Sequence, residues 1–138
     1  MDIENTIKKF LLRLKIDFQE HTFPSAPGMK VLTFNYDNNV YNIKITENRN
    51  KFTIKSFTAT MDRFLVYKLM PEINELNKTM FCNFSWYEKD HYAYFLTCHI
   101  DQVCGGGMTI NEHLVLKTFA YVYKGIKALE ELLQDKKY

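Results

Sequence analysis

Three cysteines and four histidines are the side chains of this sequence most suited to chemistry. Cys98, His99 and Cys104, together with His91 or His113, offer the donor types of a zinc site. Their spacing argues against one, because structural zinc sites pair ligands two to four residues apart, twice over. Cys98 and His99 are neighbours, and an extended strand points neighbours to opposite faces. Cys104 lies just ahead of Gly105-Gly106-Gly107 and a helix start, where the helix dipole could lower a thiol pKa for nucleophilic attack. Several loop residues intervene, and no third group is identifiable to orient a Cys/His pair. A loop cysteine without catalytic role is therefore the expectation. The triple glycine could gather backbone N–H groups around an anion, yet neither the phosphate-loop spacing nor the dinucleotide fingerprint is present. A flexible crossover between strand and helix explains it more simply. Glu72 and Glu75, three apart on a helix, hydrate a polar face rather than form an acid–base pair. No catalytic residue, metal ligand or cofactor is expected, and the chain reads as non-enzymatic.

One further pattern has a chemistry of its own. Lys44, Lys51 and Lys55 interleave with Tyr41, Phe52 and Phe57, the mixture of cations and rings that single-stranded nucleic acid favours. Eighteen Lys+Arg against sixteen Asp+Glu leave only +2, whereas phosphate binding depends on clustered excess cations. Nucleic acid is not an expected partner on that ground.

These residues must be positioned by elements that the apolar spacing outlines. Ile3, Ile7, Phe10, Leu11, Leu14 and Phe18 recur at helical spacing, with Asp2 as candidate N-cap, and predict a helix reaching towards Glu20. Pro24, Pro27 and Gly28 then break the chain. Residues 31–36, 40–46 and 51–55 alternate apolar and polar, with Asp37-Asn38-Asn39 and Glu47-Asn48-Arg49-Asn50 as turns, and predict an antiparallel meander covered on one side. Leu65, Leu69, Ile73, Leu76 and Met80 predict a second helix over 62–80, with Pro71 kinking it or opening its second half. A hairpin follows. With a two-residue turn at Lys89-Asp90, Phe84 would face Phe95 and Trp86 would face Ala93; a longer turn would shift that register and exchange the faces. Thr109 and Glu112 have capping-box spacing, and Val115, Phe119, Val122, Ile126, Leu129 and Leu133 make the stripe of a last helix. A second apolar line on it, Leu116, Ala120 and Tyr123, is a candidate partner surface. The fold expected is α+β, a single antiparallel sheet of about five strands in the order α-β-β-β-α-β-β-α, with helices packed on the sheet.

Length and composition agree with one domain spanning 1–138: 138 residues, 46% hydrophobic, 25% charged. Eleven Phe, nine Tyr and one Trp exceed what a small core needs, which points to a sticky face or an aromatic pocket near Trp86, Tyr92 and Tyr94. No apolar run approaches the roughly 20 residues that cross a bilayer, and charges interrupt the N-terminal segment where a signal core would lie. Three cysteines without framework spacing read as reduced thiols. A cytoplasmic location without membrane contact is expected.

The segment Asn74-Glu75-Leu76-Asn77 closing the middle helix, the aromatic hairpin from Phe84 to Phe95, the glycines 105–107 and the helix from Ile110 to Leu133 together resemble the YbjN-like family over roughly residues 60–134. The usual Leu-Pro after the second hairpin strand is replaced here by His99-Ile100-Asp101. The resemblance implies a fold like that of type III secretion chaperones, often dimeric, without catalytic residues to carry over, and a role as a regulator or adaptor that binds polypeptides. Asn74 and Asn77 would then be structural, since Asn suits a helix end. The resulting expectation is a self-associating adaptor that binds another polypeptide, with homodimerisation; the alternative is a small-molecule binder with the aromatic pocket.

Overall fold

Ile3, Ile7, Phe10 and Leu11 are the buried face of α1 (Ile3–Arg13). The computed structural model describes residues 3–90, 93–104 and 110–135, so Asp2, His91, Tyr92, Gly105 to Gly107 and Thr109 lie outside the described residues. Helix α1 ends well short of Glu20. Lys15 adopts a left-handed backbone with φ 57°; its N–H bonds Leu12 O at 3.0 Å, and the Ile16 N–H bonds Leu11 O at 2.9 Å. That pair of bonds is the Schellman closure, a motif usually built on glycine. A lysine in that position gives no stop signal.

The remaining elements are β1 (Gln19–Thr22), β2 (Met29–Tyr36), β3 (Asn39–Thr46), β4 (Lys51–Phe57), β5 (Met61–Asp62), α2 (Arg63–Thr79), β6 (Asn83–Glu88), β7 (Ala93–Val103) and α3 (Glu112–Asp135). All strands join one antiparallel sheet in the order β1-β2-β3-β4-β7. Thr97 faces both Phe57 and Ser85, so β4 and β6 flank β7, and β5 continues the β4 side at Tyr94. The class and the single antiparallel sheet are as the alternation implies, with seven strands instead of about five. The two additional strands carry no apolar alternation: β1 is Gln-Glu-His-Thr, exposed throughout, and β5 has two residues.

The two hairpins differ in how local chemistry sets their register. Between β2 and β3, Asp37 and Asn38 take φ 50° and 68°, the double left-handed conformation of a tight two-residue turn. Between β6 and β7 the last pair is Glu88 with Tyr94, so the turn is longer than Lys89-Asp90. Phe84 therefore faces Cys98 and Trp86 faces Leu96, while Phe95 turns to the other face and stacks on Tyr87 at 5.7 Å. The expected pairs Phe84–Phe95 and Trp86–Ala93 are corrected by that shift, because an odd slip exchanges faces.

All three helices cover one face. Alternation sends Leu32, Phe34, Tyr41, Ile43, Ile45, Phe52, Ile54, Leu96 and Cys98 into one cluster with the helical residues. Phe119 of α3 is its hub, within 5.1–6.1 Å of the rings of Phe10, Phe34, Tyr36 and Tyr41. Much of the aromatic surplus thus belongs to the core. Helix α3 sits close to β7 because residue 125 is glycine: a Cβ there would collide with the sulfur atoms of Cys82 and Cys98. Its first turn is capped by Asn111, whose Oδ1 accepts the Leu114 N–H at 2.9 Å. The Thr109–Glu112 capping box is corrected accordingly, since Glu112 is the first helical residue and its carboxylate meets Arg13 at 3.0 Å. Asp62 caps α2 at Leu65 N, 2.9 Å, and Pro71 lies inside that helix. On the α1 side, Glu4 and Glu20 interlock with Lys8 and Lys30.

Candidate functional site

The residues with chemical potential are dispersed. Cys98 is fully buried beneath α3, its thiol against Val122 O at 3.6 Å, while His99 lies on the opposite face of β7. The adjacent Cys82 thiol and burial hold Cys98 protonated. All three cysteines are free and buried. Burial, helped by Glu47, pushes the Cys104 thiol up, the reverse of activation. Among the described residues no group of three or more His, Cys, Asp or Glu is placed to hold a metal ion, and no helix is long and apolar enough to cross a membrane. Glu72 and Glu75 line a shallow groove of about 390 Å3 between α2 and α3 together with Glu131.

The candidate partner line on α3 divides. Leu116 is 46% exposed and Ala120 is half-buried. Tyr123 is engaged within the chain: its hydroxyl donates to Asp37 Oδ2 at 2.6 Å, its ring meets Tyr36 at 5.7 Å, and Lys127 salt-bridges the same carboxylate at 3.1 Å. Those contacts hold the Asp37 carboxyl below its usual range. Tyr92 lies outside the described residues, which leaves Trp86 and Tyr94 of the aromatic group. Both are partly buried, packed against the core cluster, and the Tyr94 hydroxyl meets Arg63. A groove of about 540 Å3 lies elsewhere, where Val40, Phe57, Met61 and Leu65 approach Leu133 and Glu130.

Of the Asn74-to-Asn77 segment, Asn74 is exposed and Leu76 packs against the core. Asn77 does not close the end of α2, whose C-cap is Met80 in extended conformation. Its amide instead grips the backbone of Phe84, accepting from N at 2.8 Å and donating to O at 3.3 Å. β6 is an edge strand, paired only with β7 among the described residues. Asn77 thus mimics one residue of a missing neighbour strand.

The most exposed apolar surface is one that the helical spacing listed above leaves out. Helix α2 buries Val66, Leu69 and Ile73, but Phe64 (79% exposed) and Tyr67 (62%) face away from the core with Pro71. Positions 64, 67 and 71 are one helical stripe, so the signal was present in the sequence as a second periodicity. Pro71 has no N–H, so the Tyr67 carbonyl on that stripe loses its usual i+4 donor. Phe81, also exposed (78%), packs on Tyr121 of α3 at 5.1 Å.

The face of the sheet opposite the helices is the second large surface. Lys44, Lys51 and Lys55 project there by alternation, with Phe57, Phe95 and Tyr87. Tyr41 and Phe52 do not: they are buried on the helical side, so the sequence pattern had the cations in place and two of the three rings on the wrong face.

An antiparallel sheet with helices on one face, in this order, is the architecture of the YbjN-like fold. The solved structure of YbjN from E. coli, described as a candidate transcription regulator, superposes with a TM-score of 0.58 over 90% of this chain and 82% of that one, at 14% identity. At that identity the likeness establishes the fold. No protein-family model matches the sequence, and no curated protein matches it.

Proposed function

We propose that this is a non-enzymatic adaptor domain of the cytoplasm that self-associates through the outer stripe of α2 and binds another polypeptide. The observation that carries the reading is the stripe itself. Phe64, Tyr67 and Pro71 lie opposite the buried face of the same helix, and a helix apolar on both sides ordinarily has two neighbours. A two-fold axis across α2 would bury the stripe against its own copy, the commonest closed arrangement. The outer edge of β1, unpaired among the described residues, supports the second role, since an extended peptide can add to such an edge by backbone hydrogen bonds. The buried, unbridged thiols support a reducing compartment. YbjN, being described as a candidate regulator, is consistent with an adaptor role in this chain.

Light scattering on the purified protein tests the first role. A dimer mass is expected at about 100 μM, a concentration at which a standard-sized interface is occupied, and the doubly substituted Phe64→Glu/Tyr67→Glu protein is expected to be a folded monomer. A wild-type monomer at that concentration overturns self-association. For the second role, a photo-crosslinking residue in place of His21 should capture a polypeptide from native extract; crosslinks that form only at control positions away from β1 would remove the edge from the account.

A further inference from the structure

The +2 net charge says nothing of where cations gather, and the fold gathers three of them on one face of the sheet. On the outer face of β1 to β4, β6 and β7, alternation places Lys44, Lys51 and Lys55 with a single carboxylate, Asp101. Asp101 is itself engaged, accepting from the Thr53 hydroxyl and lying 3.9 Å from Lys51. Rings stand beside the lysines: Tyr87 stacks on Phe95, Phe57 meets Phe95 edge-on at 5.8 Å, and the Lys55 ammonium lies 5.0 Å above the Tyr87 ring. Beneath them, Thr97 Oγ1 and His99 Nδ1 are buried without a hydrogen-bond partner among the described residues.

We infer that this face binds single-stranded nucleic acid. The lysines meet successive phosphates, and bases stack on the exposed ring surface that Tyr87 and Phe95 present, the combination that serves single strands without sequence preference. When Lys55 moves from the Tyr87 ring to a phosphate, a base takes its place on the ring. A duplex is excluded because its bases are already stacked on one another. The inference departs from the expectation drawn from net charge, which averages this local cluster with the rest of the chain.

Fluorescence anisotropy with labelled oligothymidylate of about 20 nucleotides tests it, using the Phe64→Glu/Tyr67→Glu protein so that the result is independent of self-association. Saturable binding is expected at about 50 mM salt, with a log–log salt slope near −2 for about three phosphate contacts. Lys44→Glu, at an exposed position, should weaken binding and flatten that slope by about 0.7. Tyr87→Leu removes the ring while keeping an apolar side chain at that position. It should weaken binding roughly fivefold or more with the slope unchanged. Absence of saturation at about 100 μM protein overturns the inference. So does equal affinity for heparin or duplex with no effect of Tyr87→Leu, which is polyanion attraction alone. A change of oligomer mass on Lys44→Glu without oligonucleotide binding assigns the face to a second copy and likewise overturns it.

Discussion

Helices α2 and α3 each carry apolar residues on two sides, and the fold treats them differently. On α3 the second line turns inward at its end: Tyr123 leans on Tyr36 and hydrogen-bonds Asp37, so the β2–β3 turn covers it. On α2 nothing among the described residues covers Phe64 and Tyr67. The same amphipathic arithmetic therefore gives an internal brace in one helix and an open surface in the other. What decides is whether a loop reaches over the helix, which helical periodicity does not encode. A long helix whose N-terminal cap, inner face and C-terminal half are all engaged is a fixed part of the scaffold. The shorter one, held at its cap and at Asn77, keeps an apolar stripe that none of the described residues covers.

The contrast can be broken most severely at the hub of α3. Phe119→Ala removes the ring that Phe10, Phe34, Tyr36 and Tyr41 surround and should cost about 3–5 kcal/mol in urea denaturation. Gly125→Ala forces a methyl against the Cys82 and Cys98 sulfurs and should cost about 1–3 kcal/mol; a stabilised variant would mean that α3 is not seated as closely as described. Asn77→Ala leaves both Phe84 backbone groups without their side-chain partner, for a loss of about 1–2 kcal/mol. Its amide-exchange signature should be confined to α2 and β6. Acid sharpens the comparison from the α1 side. Hydrogen bonds from Lys30 and Lys8 hold the Glu4 carboxyl below its ordinary value of 4.5. A depressed native pKa adds stability above the unfolded value, which is lost as pH falls through the native one. The urea midpoint should therefore decline as pH drops below about 4.5, and Glu4→Gln should reduce that decline. The smallest change in fold stability is expected at the open surface: Phe64→Glu and Tyr67→Glu, measured on the monomer, should each lie within about 0.5 kcal/mol of wild type.

Where a residue type forces a conformation, the sequence reading matches the structure. Asp37 and Asn38 accept left-handed dihedrals, so the turn joining β2 and β3 and the pairing on either side of it follow from the alternation of Leu32, Phe34, Tyr41 and Ile43. The stripe from Val115 to Leu129 is equally plain, because burial on one side of a long helix leaves a periodic trace. Elsewhere the decisive feature has no local signature. A lysine closes α1 where glycine is usual, and β1 pairs through its backbone and the ion pairs of Glu20, with four exposed side chains and no apolar alternation. The β6–β7 register depends on a turn length that Lys89 and Asp90 do not specify. Asn77 was legible as structural, but its partner, Phe84, comes from tertiary geometry. The outer stripe of α2 was readable as spacing and was obscured by the stronger inner stripe of Leu65, Leu69 and Ile73. The cations of the outer sheet face were readable too, whereas the rings beside them depended on strand register.

The grip of Asn77 on Phe84 has a consequence for how copies of this chain can meet. An uncapped sheet margin is a template on which identical chains can stack without limit into fibrils. By filling one backbone position on β6 with a side chain of its own, the protein denies such growth a starting point at that margin. The self-association proposed through the outer stripe of α2 is of another kind, since two-fold pairing stops at two.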